Sequence, residues 1–180
     1  MSEVKRRLVD RIIEPSFIDG LRERTIEELR EMRDQCAEGE TEVSFERRLC
    51  QARIDILSAE LDQRAGNVTG GDLISRLPQI LAEEGREASG KLPNRAPDLS
   101  IPRNTDIPRR RVEEIVGEQT LARLAQLPTE EIRKIIESLG EHERNLSEKR
   151  RKVHEVVDAV QTEIVRRYTS GEADPDHLLR

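Results

Sequence analysis

The chain has 180 residues, 38% of them charged and 34% hydrophobic, with two Phe, one Tyr, no Trp and a formal net charge of −6. So few apolar and aromatic residues exclude a large globular core and suit long helices that each bury one stripe. The acidic balance argues against general nucleic-acid binding, and with no signal peptide and no apolar run of membrane length the cytoplasm is the expected compartment.

Residues 1–24 read as an N-terminal arm. Val4, Leu8, Ile12 and Ile13 predict a short helix that Pro15 ends. Phe17, Ile18 and Leu21 follow as a small apolar cluster, suited either to staple the arm onto a bundle or to meet a partner. Residues 25–66 predict a first long helix. Thr25 is a good N-cap and Glu28, three residues on, completes a capping box. Gly39 is a weak point, costing about 1 kcal/mol against Ala. Gly66 and Asn67 are stop signals. Cys36 and Cys50 have no His near them and read as small apolar residues of a reducing compartment, not as a disulfide or zinc pair.

Residues 67–110 hold five of the eight prolines (Pro78, Pro93, Pro97, Pro102 and Pro108) and predict short turns around Pro78, then an extended linker over 85–110. Residues 111–169 predict short helices and a second long one. Val112–Leu127 reads as a short helix or a pair of turns closed by Pro128. Thr129 is the expected cap of a helix with Ile132, Ile135, Ile136 and Leu139 on one face, and Gly140 is its expected kink or break. From Glu141 to about Thr169 nothing interrupts a long helix. The tail, 170–180, should fray.

The first long helix carries Glu40, Ser44, Arg47, Gln51 and Asp55, which at 100° per residue form one polar stripe about 80° wide. Beside it run Val43, Cys50, Ile54, Leu57 and Leu61. Both stripes recur 103 residues later. Glu143, Ser147, Arg150, His154 and Asp158 repeat the polar set with one change, His for Gln. Leu146, Val153, Val157, Val160 and Ile164 repeat the apolar seam. A single polar stripe is most simply a solvated helix face; two in one register, each with its seam, point to a binding role. A second apolar face, Phe45, Leu49 and Ile56, becomes Glu148, Lys152 and Ala159 in the second copy. In the first helix that face must pack on the arm or on another protein.

Two helices with equal seams can pair as an antiparallel coiled coil, although the linker length permits either orientation. An antiparallel pair would bring both polar stripes to one side with local two-fold symmetry, fit for a symmetric ligand. Arg47 and Arg150 offer planar forks matching a phosphate or the O6/N7 edge of guanine. Asp55 and Asp158 can accept from guanine N–H groups, and Ser44 and Ser147 can donate to phosphate. The same residue types also make surface ion pairs. An enzyme is the rival class, but there is no Glu-x-x-His pair, no phosphate-cradling glycine loop and no nucleophile elbow, so a non-enzymatic protein without a bound metal is expected. A purely structural coiled coil without nucleotide explains the seam but not the repeated Ser, Arg and Asp. His142, His177, Arg22, Arg24 and the Arg109–Arg111 run read as solvated. Arg166, Arg167 and Tyr168 suit either the negative end of the helix dipole or a partner contact.

The pattern Glu-x3-Ser-x2-Arg-x3-Gln-x3-Asp at 40–55, with its near copy at 143–158, resembles the cyclic di-GMP signature of the RsiG family, actinobacterial anti-sigma factors of the sporulation sigma factor WhiG. The similarity extends loosely over 14–169. The resemblance implies an all-α protein of two long helices in an antiparallel coiled coil, with short accessory helices and a long Pro-rich linker. It implies that the coil holds an intercalated pair of cyclic di-GMP molecules and that the loaded form sequesters a WhiG-type sigma factor; two signatures within one chain favour a self-sufficient monomer. Arg47 and Arg150 would then address guanine Hoogsteen edges and stack on bases. Asp55 and Asp158 would take Watson–Crick edges, and Glu40, Glu143, Ser44, Ser147 and Gln51 would complete the contacts. His154 departs from the pattern. Phe45, Leu49 and Ile56 are the expected partner face.

Overall fold

A computed structural model describes residues 7–66, 77–78 and 110–173. The expected linker over 85–110 lies outside the described residues except for Arg110, as do most of the turns around Pro78, Val4, His177 and the tail beyond 173. The elements are α1 (Leu8–Ile12), a 3-10 turn at Pro15–Ile18, α2 (Ile26–Arg64), α3 (Arg111–Ile115), α4 (Glu118–Ala122), a 3-10 turn at Leu124–Gln126 and α5 (Thr129–Ser170). The protein is all-α, with two long interacting helices and short accessory ones.

Two compact units divide the chain. Among described residues the first holds 7–44 and 147–173, and the second holds 45–66, 77–78 and 110–146. Each therefore contains part of α2 and part of α5.

In the first unit, Thr25 caps α2 through a reciprocal box: Glu28 N–H donates to Thr25 Oγ1 at 3.2 Å and Thr25 N–H to the Glu28 carboxylate at 2.7 Å. The bond from the Thr25 backbone holds the Glu28 carboxyl below its ordinary range. The two long helices run antiparallel here. Glu40 meets His154, and ten residues back along α2 Arg30 reaches Tyr168, further on along α5. Leu29, Met32, Cys36 and Val43 are buried with Val153, Val157, Val160 and Ile164, each full burial contributing about 1.5–3 kcal/mol.

The arm packs on this seam through the expected Ile12, joined by Val9 in place of Leu8. Val9 and Ile12 are buried, while Leu8 is only half-buried. The cause is Gly39: a Cβ there would lie 2.7 Å from Ile12 Cδ1. Its missing side chain is the recess that α1 fills, so Gly39 is a packing requirement rather than merely a weak point. Arg7 pairs with Glu42 at 3.1 Å and Lys149 with Asp10 at 2.7 Å, tying the start of α1 to both long helices.

In the second unit, Arg47 meets Glu143, and Arg64 reaches Leu127 and Thr129, so the helices again run antiparallel. Cys50 and Leu57 are buried with Leu139 and Leu146 of α5 and with Val112 and Val116 of the α3 segment; Ile54 and Leu61 are half-buried. Gly66, at φ +72°, ends α2 in the left-handed conformation that glycine favours.

Two boundary expectations change. Gly140 does not interrupt α5, which runs unbroken from Thr129 to Ser170. The roughly 1 kcal/mol cost of an internal glycine is outweighed by the neighbouring seam residues Leu139 and Leu146. Thr129 is the first helical residue rather than the cap: the Pro128 carbonyl accepts from Glu131 and Ile132.

The repeat is larger than the sequence motif suggested. Helix α3 begins and ends 103 residues after α1. Val9 and Val112, Leu29 and Ile132, Cys36 and Leu139, and Leu57 and Val160 are all buried at that same offset. So are Glu60 and Glu163, each bonded to the arginine four residues on, Arg64 and Arg167. Arg64 Nη2 donates to the Leu124 carbonyl and Arg167 Nη2 to the Leu21 carbonyl, again 103 apart. Residues 7–66 and 110–169 are thus two copies of one arm–turn–long-helix motif.

Candidate ligand site

The signature residues fall into both units, and each unit forms a Glu–Arg contact across its helix pair. In the second unit Arg47 Nε donates to Glu143 Oε1 at 2.7 Å, a charge-assisted bond between half-buried partners. Gln51 and Asp55, one and two turns further along α2, are half-buried in the same unit.

In the first unit the corresponding glutamate, Glu40, lies 2.6 Å from His154 Nε2. Arg150 approaches Glu40 only to 3.8 Å from its Nη2, beyond hydrogen-bond reach. The Arg150 Nε is buried and makes no hydrogen bond. A buried donor left in that condition costs about 1–3 kcal/mol. Ser44 and Ser147 are half-buried in this unit, and Asp158 is exposed, its backbone carbonyl accepting from Thr162 Oγ1.

Arginine, carboxylate and hydroxyl groups on facing helix surfaces can bind a ligand that carries both anionic oxygens and a donor–acceptor edge. A guanine nucleotide has both. The buried Arg150 Nε, which makes no hydrogen bond, fits such a ligand, because its carbonyl or phosphate oxygens are acceptors.

His142 and Arg110, read from the sequence as solvated, have defined partners, as do several other polar residues. His142 Nε2 lies 2.9 Å from Glu46 Oε1, and Glu46 is only 1% exposed. Glu46 and His142 each neighbour a signature residue in sequence, Arg47 and Glu143, so two cross-helix pairs run side by side in the second unit. Arg110 stacks over the Phe45 ring with its guanidinium carbon 5.1 Å from the centroid. Arg53 Nη1 donates to the Val112 and Val116 carbonyls at 2.8 and 2.9 Å. The α3 segment therefore meets Phe45, an occupant that was neither the arm nor another protein; Phe45, Leu49 and Ile56 are all half-buried. Arg167 is buried and donates to the Leu21 and Arg22 carbonyls, and Arg30 to the Tyr168 hydroxyl. These are internal staples holding the arm's exit to the end of α5. Applying the 103-residue offset beyond the signature pairs Arg64 with Arg167, the one available sign that both have a structural role.

Among the described residues no group of three or more His, Cys, Asp or Glu is placed to hold a metal, and no helix is long and apolar enough to cross a membrane. A cleft of about 410 Å³ in the second unit is lined by Arg111, Glu131, Ile135 and His142 among others, none of them a signature residue.

The chain matches the RsiG-like family over residues 15–81 and 118–180, well over half its length, and it belongs to that family. No curated protein matches it.

Proposed function

We propose that this member of the RsiG-like family is an anti-sigma factor that binds two cyclic di-GMP molecules and, when loaded, sequesters a WhiG-type sigma factor to block its transcription. The observation that carries the reading is the duplicated Glu–Ser–Arg–Gln/His–Asp set on antiparallel helices, with a Glu–Arg contact in each unit. Family membership supports the regulatory class.

In this reading Arg47 and Arg150 bind guanine O6/N7 edges or phosphate, exchanging their carboxylate neighbours for the ligand. Asp55 and Asp158 accept from guanine N1–H and N2–H. Ser44 and Ser147 donate to phosphate, and Glu40, Glu143, Gln51 and His154 complete the contacts. Neutralising charge between the long helices favours one arrangement of them, which is a population shift by preferential binding. The partner then meets the half-buried apolar face of α2 at Phe45, Leu49 and Ile56, together with the Arg110 that stacks over the Phe45 ring.

Titration calorimetry of the full chain with cyclic di-GMP tests the site. Wild type binds, and the R47A/R150A double variant loses binding. No binding by wild type, or an unchanged isotherm for the variant, sinks the assignment. Pull-down of a WhiG-type sigma factor with and without nucleotide then tests the switch. Association that ignores nucleotide removes the switch, and no association under either condition removes the anti-sigma role.

A further inference from the structure

The two Glu–Arg contacts are not equivalent, and the difference traces to a single residue. In the second unit Arg47 is tied to Glu143 at 2.7 Å. In the first unit His154 takes Glu40 at 2.6 Å, Arg150 stands 3.8 Å from it, and the buried Arg150 Nε makes no hydrogen bond. The position equivalent to His154 in the second unit is Gln51, and there the glutamate accepts from arginine instead.

We propose that His154 is a positioning residue that withdraws Glu40 from Arg150 and so makes the Arg150 half of the site the dominant anchor for cyclic di-GMP. This rests on the cyclic di-GMP reading above. The physical argument is one of exchange. A ligand oxygen that binds Arg47 must displace a carboxylate already bonded to it, so part of the new interaction replaces an old one. A ligand oxygen that binds Arg150 Nε satisfies a buried donor that had nothing, so the whole interaction counts towards affinity.

Nearby charged groups of the first unit form pairs of their own: Arg7 with Glu42, Lys149 with Asp10, and Arg151 with Glu148 and Glu155. Between His154 and Arg150, it is His154 that holds Glu40 at hydrogen-bond distance. Replacing it by glutamine restores the residue found at the equivalent position and removes the ring from Glu40. Glu40 then closes on Arg150 as Glu143 closes on Arg47.

The test is a mutant cycle on the full chain, read by calorimetry with cyclic di-GMP. In the wild-type background R150A weakens binding more than R47A by about fivefold or greater, the worth of one partly exposed ion pair. In the H154Q background the two alanine variants weaken binding equally, within about twofold. A ligand-free readout accompanies it. In nitrogen-15 spectra the Arg150 Nε–H exchanges with water faster than that of Arg47, and H154Q slows it. Should an alanine variant lose helix by circular dichroism, R150K is compared with R47K. Equal losses for R150A and R47A in wild type, or a gap that H154Q leaves unchanged, overturn the role of His154 while the ligand assignment stands. No binding of cyclic di-GMP by wild type overturns both.

Discussion

Arg64→Ala tests the clamp that sets the register of the long helices in the second unit. Arg64 Nε donates to the buried Glu60 carboxylate at 2.7 Å, Nη1 to the Leu127 carbonyl at 2.6 Å and Nη2 to the Leu124 carbonyl at 2.8 Å. One side chain thereby ties the end of α2 to the turn that starts α5. The alanine variant loses these three bonds and a longer one from Nη1 to Thr129 Oγ1 at 3.4 Å, and leaves Glu60, whose side chain is 10% exposed, without its cation. Bonds to a charged group are worth about 1.5–3 kcal/mol each when buried. The Arg64 side chain is 25% exposed, so solvent replaces part of what is lost, and the expected destabilisation is about 2–3 kcal/mol. Arg64→Lys keeps the charge but cannot serve three acceptors from one planar fork, and it recovers less than half. The assay is urea unfolding followed by circular dichroism at 222 nm, with the slope held common so that the midpoint reports stability. A loss below about 0.5 kcal/mol, the range of ordinary surface substitutions, would refute the clamp.

Two further expectations follow from the chemistry of buried and paired groups. Hydrogen bonds from Arg166 and Arg167 hold the Glu163 carboxyl down to about 2. Its folded-state value is depressed, so its stabilising contribution is fully present above the unfolded carboxylate value of about 4.3 and is lost as pH falls from there towards 2. Acid unfolding of E163Q, subtracted from wild type, should slope in that window and be flat above it; a flat difference throughout contradicts the pairing. Burial pushes the Cys50 thiol up to about 12 and the Cys36 thiol to about 11. Both should resist a thiol-specific disulfide reagent at pH 8 in the folded protein and react when it is unfolded. Fast labelling of the native chain would show that the seam opens at those positions.

The duplicated polar stripe was legible because its signal is local and periodic. The four-, three-, four- and four-residue spacings place five side chains on one helix face whatever the helix packs against. The Thr25–Glu28 box and the Gly66 stop are equally local, and they appear as expected. The seam residues follow from the same period, with Val43, Cys50 and Leu57 buried as their spacing predicted. What period and cap chemistry do not encode is which group lies across the gap. Gly39 as the recess for Ile12, Arg110 on Phe45, and Glu46 against His142 all depend on the rotation and register of one helix against another.

The sequence by itself therefore determined the helices, their apolar seams and the pair of polar signatures, since each rests on interactions within a few residues of chain. Tertiary structure decided the partners. It set Glu40 on His154 rather than on Arg150, and Glu143 on Arg47. Those choices are made by side chains more than ninety residues along the chain from the carboxylate they hold, and only the packed helices bring the two within reach.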